Sequence, residues 1–157
     1  MRARELTSDD RAWVRGILRE RWGAPVVVSR GVVHEPETLP GFVAEDDGEA
    51  VGLVTYRIAG RECEIVTIDA LVEEHGVGTI LLDAVTDAAR TARCRRLWLI
   101  TTNDNLRALR FYQRRGFFLV AVHRDAATRS REIKPTIPEV GEYGIPIRDE
   151  LELELPL

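Results

Sequence analysis

Cysteine is scarce in this sequence, which contains only Cys63 and Cys94 among its 157 residues. The two lie in different predicted elements, their spacing is not that of a metal site, and no motif ties a histidine to either thiol. These observations argue against a disulfide framework, a structural metal and a catalytic cysteine. We predict that both thiols are reduced and at least partly buried, as in a cytoplasmic protein.

Long apolar runs are also missing. No run reaches the length of a membrane span, and the first residues lack the apolar segment of a secretory leader. The formal net charge of −4 gives no reason to expect nucleic-acid binding. Repeats, linkers and low-complexity tracts are absent too. We therefore predict a cytoplasmic protein with a single domain over residues 1–157, which binds neither membranes nor nucleic acid.

A glycine turn between a predicted strand and a predicted helix is the first feature that indicates chemistry. The strand covers residues 64–71, and an apolar helix pattern follows Gly76-Val77-Gly78. The first amides of a helix have no partner within the helix, and the helix dipole favours an anion beside them. The turn therefore predicts a phosphate site made of main-chain N–H groups. It lacks the Lys-Ser/Thr pair of a P-loop and the third glycine of a dinucleotide fingerprint, which disfavours both of those classes.

A second motif covers residues 105–117 and follows an apolar strand predicted at residues 96–101. Asn105 and Tyr112 are seven positions apart, which on a helix places them within about 20° of the same face. An amide and a phenol therefore project from one stripe of this helix. Gly116 suits the left-handed conformation that commonly ends a helix.

The two motifs and their separation resemble the GNAT superfamily of acyl-CoA-dependent N-acyltransferases. The residues that carry the resemblance are Gly76-Val77-Gly78 and Asn105-x-x-Ala108-x-x-Phe111-Tyr112-x-x-x-Gly116-Phe117. The resemblance implies an α/β (α+β) fold with a mixed, mostly antiparallel sheet of six to seven strands. Helices would cover both faces, and the fourth and fifth strands would splay apart in a V. The chain departs from the family pattern at Glu73, where Arg or Gln is usual.

The resemblance further implies that acetyl-CoA binds in the splay as a cosubstrate. Its pyrophosphate would contact the glycine turn, and its pantetheine arm would follow the fourth strand, where the N–H of Leu71 is a candidate donor to the thioester oxygen. Asn105 either bonds the pantetheine or caps its own helix. Arginines within residues 107–115 are either a solvated helix face or contacts for the 3′-phosphate. The expected cofactor-binding residues are Leu71, Val72, Glu74, His75, Gly76, Val77, Gly78, Thr79 and Asn105.

The implied reaction needs a proton donor and a base, but no metal and no covalent enzyme intermediate. Tyr112 is the expected donor to the departing thiolate; the alternative is a core tyrosine whose hydroxyl bonds a carbonyl. Glu64 is the expected base, because a carboxylate within a sheet must face a wet cleft or form an ion pair. A structural carboxylate paired with arginine is the alternative for Glu64. Asp69 is the second candidate for the base, and strict alternation would place it on the face opposite Glu64.

Three further segments complete the predicted architecture. Apolar spacing predicts a helix over residues 13–22 and a first strand from residue 26 to about residue 34. Residues 133–147 are predicted to form a long loop, and such loops often cover a substrate site. The alternating residues 151–155 predict a strand that returns to the sheet as its seventh member.

We therefore expect an enzyme that transfers an acetyl group from acetyl-CoA to a primary amine by direct attack in a ternary complex. The alternative is a non-catalytic CoA-binding module on the same fold, which the acidic pair Glu73-Glu74 beside the phosphate turn favours. The acceptor would be a small-molecule amine or a peptide amine, and the sequence does not choose between them. Dimers are common in such families, and pairing of the terminal strand across two chains is one arrangement of a homodimer.

Overall fold

The structure, a computed structural model, describes residues 1–73 and 76–157. In these residues the strands are β1 (Arg2–Glu5), β2 (Val27–Ser29), β3 (Val32–His34), β4 (Gly41–Asp46), β5 (Glu49–Ala59), β6 (Glu62–Ala70), β7 (Arg96–Thr102), β8 (Phe118–His123) and β9 (Glu150–Pro156). Seven of these described strands form one sheet in the order β1-β4-β5-β6-β7-β9-β8. All neighbours run antiparallel except β6 and β7, which are parallel. The predicted mixed, mostly antiparallel sheet is confirmed.

Helices pack on both faces of this sheet, as predicted. In the described part of the chain they are α1 (Arg11–Trp22), α2 (Val77–Thr91), α3 (Leu106–Gln113) and α4 (Ala126–Ile133). The apolar stripes of α2 and α3 share one core with the sheet. On the opposite face Val14 and Leu18, one turn apart on α1, pack against Leu53 and Val66. None of the described helices has the length and apolarity that crossing a membrane requires.

Both cysteines are buried free thiols, in agreement with the prediction. Cys63 belongs to β6, and Cys94 lies between α2 and β7. Burial raises the pKa of Cys63 to about 12. The thiolate, which is the reactive form, is therefore scarcely populated near neutral pH.

The sheet splits between β6 and β7. The two strands pair only where Glu62–Ile65 faces Arg96–Leu99. Beyond these residues β6 stays bonded to β5 as far as Ala70, while β7 stays bonded to β9 as far as Thr102. The two strands must therefore diverge. The V-shaped splay that we predicted between the fourth and fifth strands of the sheet is confirmed, and it lies between the strands numbered β6 and β7.

A β-bulge at Val66 changes which side chains face the splay. Val66 has no partner on β5, although the residues on either side of it do. A bulge adds one residue to a strand, so the side chains that follow it change face. Asp69 consequently points to the α1 side, where Trp22 donates a hydrogen bond to it. Glu64 lies on that side too, beneath β2 and β3. The prediction that Glu64 and Asp69 face opposite sides is therefore wrong.

Two segments differ from the prediction. Residues 26–34 are not one strand, because positive φ angles at Arg30 (51°) and Gly31 (73°) fold them into the separate hairpin β2–β3. β1 and α4 are elements that the sequence patterns did not indicate. The predicted return of residues 151–155 is confirmed, since β9 inserts between β7 and β8. Both sides of β9 are thereby paired within the chain, so in this arrangement β9 has no free edge for a second copy.

Candidate active site

The glycine turn and the start of α2 form an open depression at the end of β6. Gly76 has a left-handed backbone (φ 79°), and α2 begins at the next residue. Because glycine has no side chain, it cannot cap the helix, and the first-turn N–H groups stay available to a ligand. The depression measures about 740 Å³, and the predicted residues that line it are Leu71, Val72, Gly76, Val77, Gly78 and Thr79. Glu74 and His75, also predicted here, lie outside the described residues.

Helix α3 brings positive charge to this depression. Phe111 packs so closely on Gly78 that a Cβ there would lie 3.0 Å from the ring Cζ. The Arg115 guanidinium lies over the same ring, 3.7 Å from its centroid, and Nη2 donates a 2.8 Å hydrogen bond to Thr79 Oγ1. Other basic residues that line the depression are Arg21 and Arg107. Main-chain donors, a helix N-terminus and guanidinium groups together suit a diphosphate.

A cleft of about 440 Å³ occupies the splay itself. Its walls come from α1, β6, β7, α3 and the segment between α4 and β9. The residues that line it are Arg21, Trp22, Ile65, Val66, Ile68, Asp69, Leu99, Ile100, Thr101, Asn105, Ala108, Tyr112 and Glu142. Arg21 lines both the cleft and the depression at the glycine turn, so the two spaces adjoin.

The main chain of β6 offers hydrogen-bonding groups to the cleft, but not from the residue that we predicted. The Leu71 N–H already donates to the Val51 carbonyl over 2.9 Å. Its predicted role as donor to a thioester oxygen is therefore wrong, although Leu71 does line the depression. Because main-chain groups alternate in direction along an antiparallel pair, those of Ile68 and Ala70 point away from β5 and into the splay.

Tyr112 projects from α3 into the cleft. The residue is only 5% exposed, and its ring packs between those of Phe111 and Phe117. Among the described residues the Tyr112 hydroxyl has no hydrogen-bond partner. Every fully buried polar side-chain atom of these residues does have one, so the hydroxyl is not fully buried and opens to the cleft. The alternative of a core tyrosine bonded to a carbonyl is thus not found there. Burial, with a contribution from the charge of Asp69, raises the pKa of Tyr112 and keeps it protonated near neutral pH.

Asn105 caps α3. Its Oδ1 accepts a 3.2 Å hydrogen bond from the Ala108 amide, which satisfies one of the free donors at the start of the helix. The same side chain lines the cleft. The capping role is therefore confirmed, and the contact with a pantetheine arm stays a prediction.

Asp69 is the carboxylate of β6 that reaches the cleft. Trp22 Nε1 donates to its Oδ2 over 3.0 Å and to its Oδ1 over 3.3 Å. Burial raises the pKa of Asp69, and this effect outweighs the opposing effects of the Trp22 hydrogen bond and the nearby charge of Arg21. Asp69 and Tyr112 line the same cleft, and the charge of Asp69 contributes to the raised pKa of Tyr112.

Glu64, the predicted base, is not among the residues that line the cleft. The hairpin β2–β3 covers it, and its Oε1 lies 3.5 Å from Ser29 Oγ and 3.7 Å from His34 Nε2. Burial raises the pKa of Glu64 and lowers that of His34, so both side chains are shifted toward their neutral forms. The expectation that Glu64 faces the cleft is wrong because residues 26–34 fold over it. The alternative for Glu64, an ion pair with an arginine, is not found among the described residues either.

No sequence pattern indicated that Arg21 and Trp22 line the cleft. The helical spacing of α1 accounts for Trp22 as an apolar residue, and nothing in a single sequence marks an indole that bonds a distant carboxylate. A signal did exist for Glu142, because residues 133–147 were expected to cover a substrate site. That expectation agrees with the position of Glu142 at the cleft.

Comparison with known proteins adds to this geometry. The model of the acetyltransferase (GNAT) family matches residues 7–117, a range that includes both sequence motifs. The uncharacterized protein YdhI of Bacillus subtilis is 44% identical over 133 residues, which cover 84% of this chain and 83% of YdhI.

Solved structures share the fold. An IAA acetyltransferase from Bacillus cereus superposes with a TM-score of 0.75 at 20% identity, covering 99% of this chain and 98% of its own. A GNAT family acetyltransferase from Elizabethkingia anophelis with acetyl-CoA bound has a TM-score of 0.66 at 23% identity, covering 76% of this chain and 77% of its own. At such identities the likeness concerns the fold alone.

Proposed function

The chain belongs to the acetyltransferase (GNAT) family, and we propose on this basis that it transfers an acetyl group from acetyl-CoA to a primary amine. One observation carries the proposal. An anion-binding depression adjoins a cleft into which the Tyr112 hydroxyl and the Asp69 carboxylate both open. A ligand long enough to occupy both spaces would present its far end to a proton donor and a base.

The residues of the depression fit coenzyme A. The N–H groups at the start of α2, with Arg107 and Arg115, would hold the pyrophosphate. The free main-chain groups of Ile68 and Ala70 would pair with the amides of the pantetheine arm, as an added strand would. Acetyl-CoA supplies an acetyl group activated as a thioester. The bound acetyl-CoA of the Elizabethkingia anophelis protein, which has the same fold, supports this choice.

Two side chains would manage the protons. Asp69 takes a proton from the ammonium group of the acceptor, which frees the nitrogen to attack the acetyl carbonyl carbon. As the carbon–sulfur bond breaks, Tyr112 gives the proton of its hydroxyl to the sulfur. The nitrogen, which must lose a second proton to become an amide, returns that proton to the Tyr112 oxygen, and Asp69 releases its own proton to solvent. The raised pKa of Asp69 favours proton uptake, and the raised pKa of Tyr112 ensures that a proton is present to be donated. Asp69 replaces Glu64 in this scheme because only Asp69 lines the cleft.

The experiment that tests this function measures thiol release from acetyl-CoA with a panel of amines, together with calorimetric binding of acetyl-CoA. Thiol release that depends on an amine, with mass-spectrometric detection of the N-acetyl product, is the expected result. Binding without thiol release for any amine would instead favour the non-catalytic CoA-binding module. The carboxylate of Glu73 in the depression is the feature that favours this alternative.

A homodimer through β8 completes the proposal. β8 is one outer strand of the sheet, and its side chains Phe118 and Val122 are 63% and 58% exposed. The other outer strand, β1, carries Arg2 and Arg4, which pair with Glu45. Charged outer strands resist pairing, and apolar ones invite it. A second copy would supply an identical apolar strand, as the symmetry of a closed dimer requires.

The dimer is tested by light scattering coupled to size exclusion. Val122→Lys should convert a dimer to a monomer, because it places a charge in the proposed contact. Val33→Lys is the matched control, since Val33 is a 50% exposed valine on the separate hairpin. A parent protein that is monomeric at high concentration would overturn the assignment.

A further inference from the structure

The turn between β7 and α3 holds the segment that precedes β9. Asn103 Oδ1 accepts hydrogen bonds of 3.0 Å from the amides of Arg148 and Asp149, and Asn103 Nδ2 donates to the Pro146 carbonyl over 2.9 Å. The Asn103 amide donates to the carbonyl of Asp149. These contacts tie the segment to the end of the strand that borders the splay.

Asp104 holds the tip of the same segment. It is only 5% exposed, and its Oδ2 accepts a 3.0 Å hydrogen bond from the amide of Glu142, while Oδ1 accepts one of 2.6 Å from Thr102 Oγ1. A Cβ placed on Gly141 would overlap the Asp104 carboxylate. The carboxylate thus occupies the space that a side chain at position 141 would need, and only glycine permits this close approach.

These contacts place Glu142 on the wall of the cleft that holds Tyr112. In the described residues no basic group lies within 4 Å of the Glu142 carboxylate. The pKa of Arg107 is raised by its hydrogen bond to the Tyr143 hydroxyl and, to a lesser degree, by the more distant charge of Glu142. Arg21, the basic residue of the cleft wall, also lines the phosphate depression. The wall of the cleft therefore carries a carboxylate that, among the described residues, has no cation within 4 Å.

We infer that Glu142 recognises a second positive charge on the acceptor and that Asp104 is the positioning residue that holds Glu142 there. The inference rests on the proposed acetyl transfer and names its substrate class as amines with two cationic groups. One ammonium group would give its proton to Asp69 and be acetylated, and the other would pair with Glu142. The Tyr112 side chain is buried, but its hydroxyl has no described partner and opens to this cleft, which independently makes the cleft the proposed place of reaction.

The test compares α,ω-diamines of three to six carbons with monoamines of the same chain length, using thiol release from acetyl-CoA. The parent protein should have a higher kcat/KM for a diamine than for the matched monoamine. Glu142→Gln should lower kcat/KM for the diamine about tenfold, the usual value of a hydrogen bond to a charged group, and leave the monoamine nearly unchanged. Glu139→Gln is the matched control, because Glu139 is an exposed carboxylate of the same segment that does not line the cleft.

The positioning role has its own readout. Asp104→Ala should raise KM for the diamine while KM for acetyl-CoA and turnover of the monoamine stay near the parent values, and Asp104→Asn should restore most of the loss. Gly141→Ala should reproduce the Asp104→Ala pattern without removing a charge. Thermal melting of each variant confirms that it is folded, and Glu142→Gln, a change at the surface, keeps the test valid if the others unfold.

The outcomes separate the two levels of the argument. Equal kcat/KM for diamines and monoamines in the parent, or an equal loss of both in Glu142→Gln, overturns the inference and leaves acetyl transfer intact. If no amine of the wider panel causes thiol release, acetyl transfer itself is overturned, and the inference with it.

Discussion

The two ends of the cleft are built in different ways. The proposed phosphate end combines the main chain around Gly76 with arginines of α3 and with Arg21, so it is positively charged and depends mainly on two short stretches of sequence. The acceptor end combines Trp22, Asp69 and Glu142 with Tyr112, side chains from four distant segments, and carries carboxylates. A site made of backbone amides tolerates changes of most side chains, whereas a site made of side chains depends on each of them.

The bulge in β6 affects only one of the two ends. Without the extra residue at Val66, the side chain of Asp69 would point away from Trp22 and α1. The strand would still lead to the glycine turn, and the phosphate end would be unchanged. The reactive end of this cleft therefore depends on one irregularity that the cofactor end does not need.

The largest expected effect is that of Tyr112→Phe, which removes a hydroxyl from the cleft where the two ends meet. Turnover should fall by about 10²–10⁴, because only the proton-donating hydroxyl is lost. The affinity for acetyl-CoA should hardly change, since the ring still packs between Phe111 and Phe117. Steady-state kinetics and calorimetry measure the two quantities. Tyr56→Phe is the control, because Tyr56 stacks on Phe42 away from the cleft. Equal turnover of Tyr112→Phe and parent would remove Tyr112 from the mechanism.

The next effect is that of Asp69→Asn, which should lower kcat/KM by about 10² or more by removing the base. In the parent, kcat/KM should fall as the pH drops through the pKa of Asp69, because only the ionised carboxylate accepts a proton. Burial raises that pKa, so this fall should occur at a higher pH than for an ordinary aspartate. The pH–rate profile of Asp69→Asn should lack this fall in kcat/KM, and that of Glu64→Gln should retain it. If the fall disappears in Glu64→Gln, Glu64 is the base instead.

A smaller effect tests the phosphate end. Gly76→Val should weaken acetyl-CoA binding about tenfold, because a branched side chain crowds the amides that face the ligand. Gly48→Val is the matched control: its φ of 83° is close to the 79° of Gly76, and a Cβ added at either glycine would meet no atom within 4 Å. Both variants should therefore lose similar stability, and only Gly76→Val should lose affinity by calorimetry. Unchanged affinity in Gly76→Val would contradict the phosphate assignment.

The smallest effect is that of Arg115→Gln, which should weaken acetyl-CoA binding about threefold, as expected for one partly solvated charge. The loss should shrink as salt is added, because salt screens the interaction between guanidinium and phosphate. Arg114→Gln serves as the control, since Arg114 does not line the depression. The same affinity and salt dependence in both variants would assign the arginines of α3 to a solvated helix face.

Much of the fold was predictable because it depends on local patterns. The spacing of apolar residues predicted α1, α2 and α3, and the alternation of residues 151–155 predicted β9. The hairpin β2–β3 was missed because a turn at Arg30 and Gly31 interrupts a run of valines that reads as one strand. Helix α4 was missed because it has no long apolar stripe and is held mainly by contacts with other elements.

The candidate site divides in the same way. Two motifs indicated the residues around Gly76 and the phenol Tyr112. The described ones line the depression and the cleft, and their roles stay predictions. The base was assigned to Glu64 because a carboxylate within a sheet must face a wet cleft or be paired, and the sequence did not reveal that the hairpin β2–β3 covers this residue. Asp69 was expected on the opposite face because period-two alternation cannot reveal a bulge, which arises from pairing with β5. Glu142 could not be assigned a place, because its position depends on Asp104, a residue far away in the chain.

The sequence by itself determined the glycine turn, the helix that carries Asn105 and Tyr112, and the family to which these motifs belong. These features arise from interactions within a few residues, so their spacing alone specifies them. Only the tertiary structure decided which carboxylate of β6 enters the cleft and that Glu142 lies on its wall. Those choices depend on strand register and on hydrogen bonds between remote residues, which the local pattern of a chain does not encode.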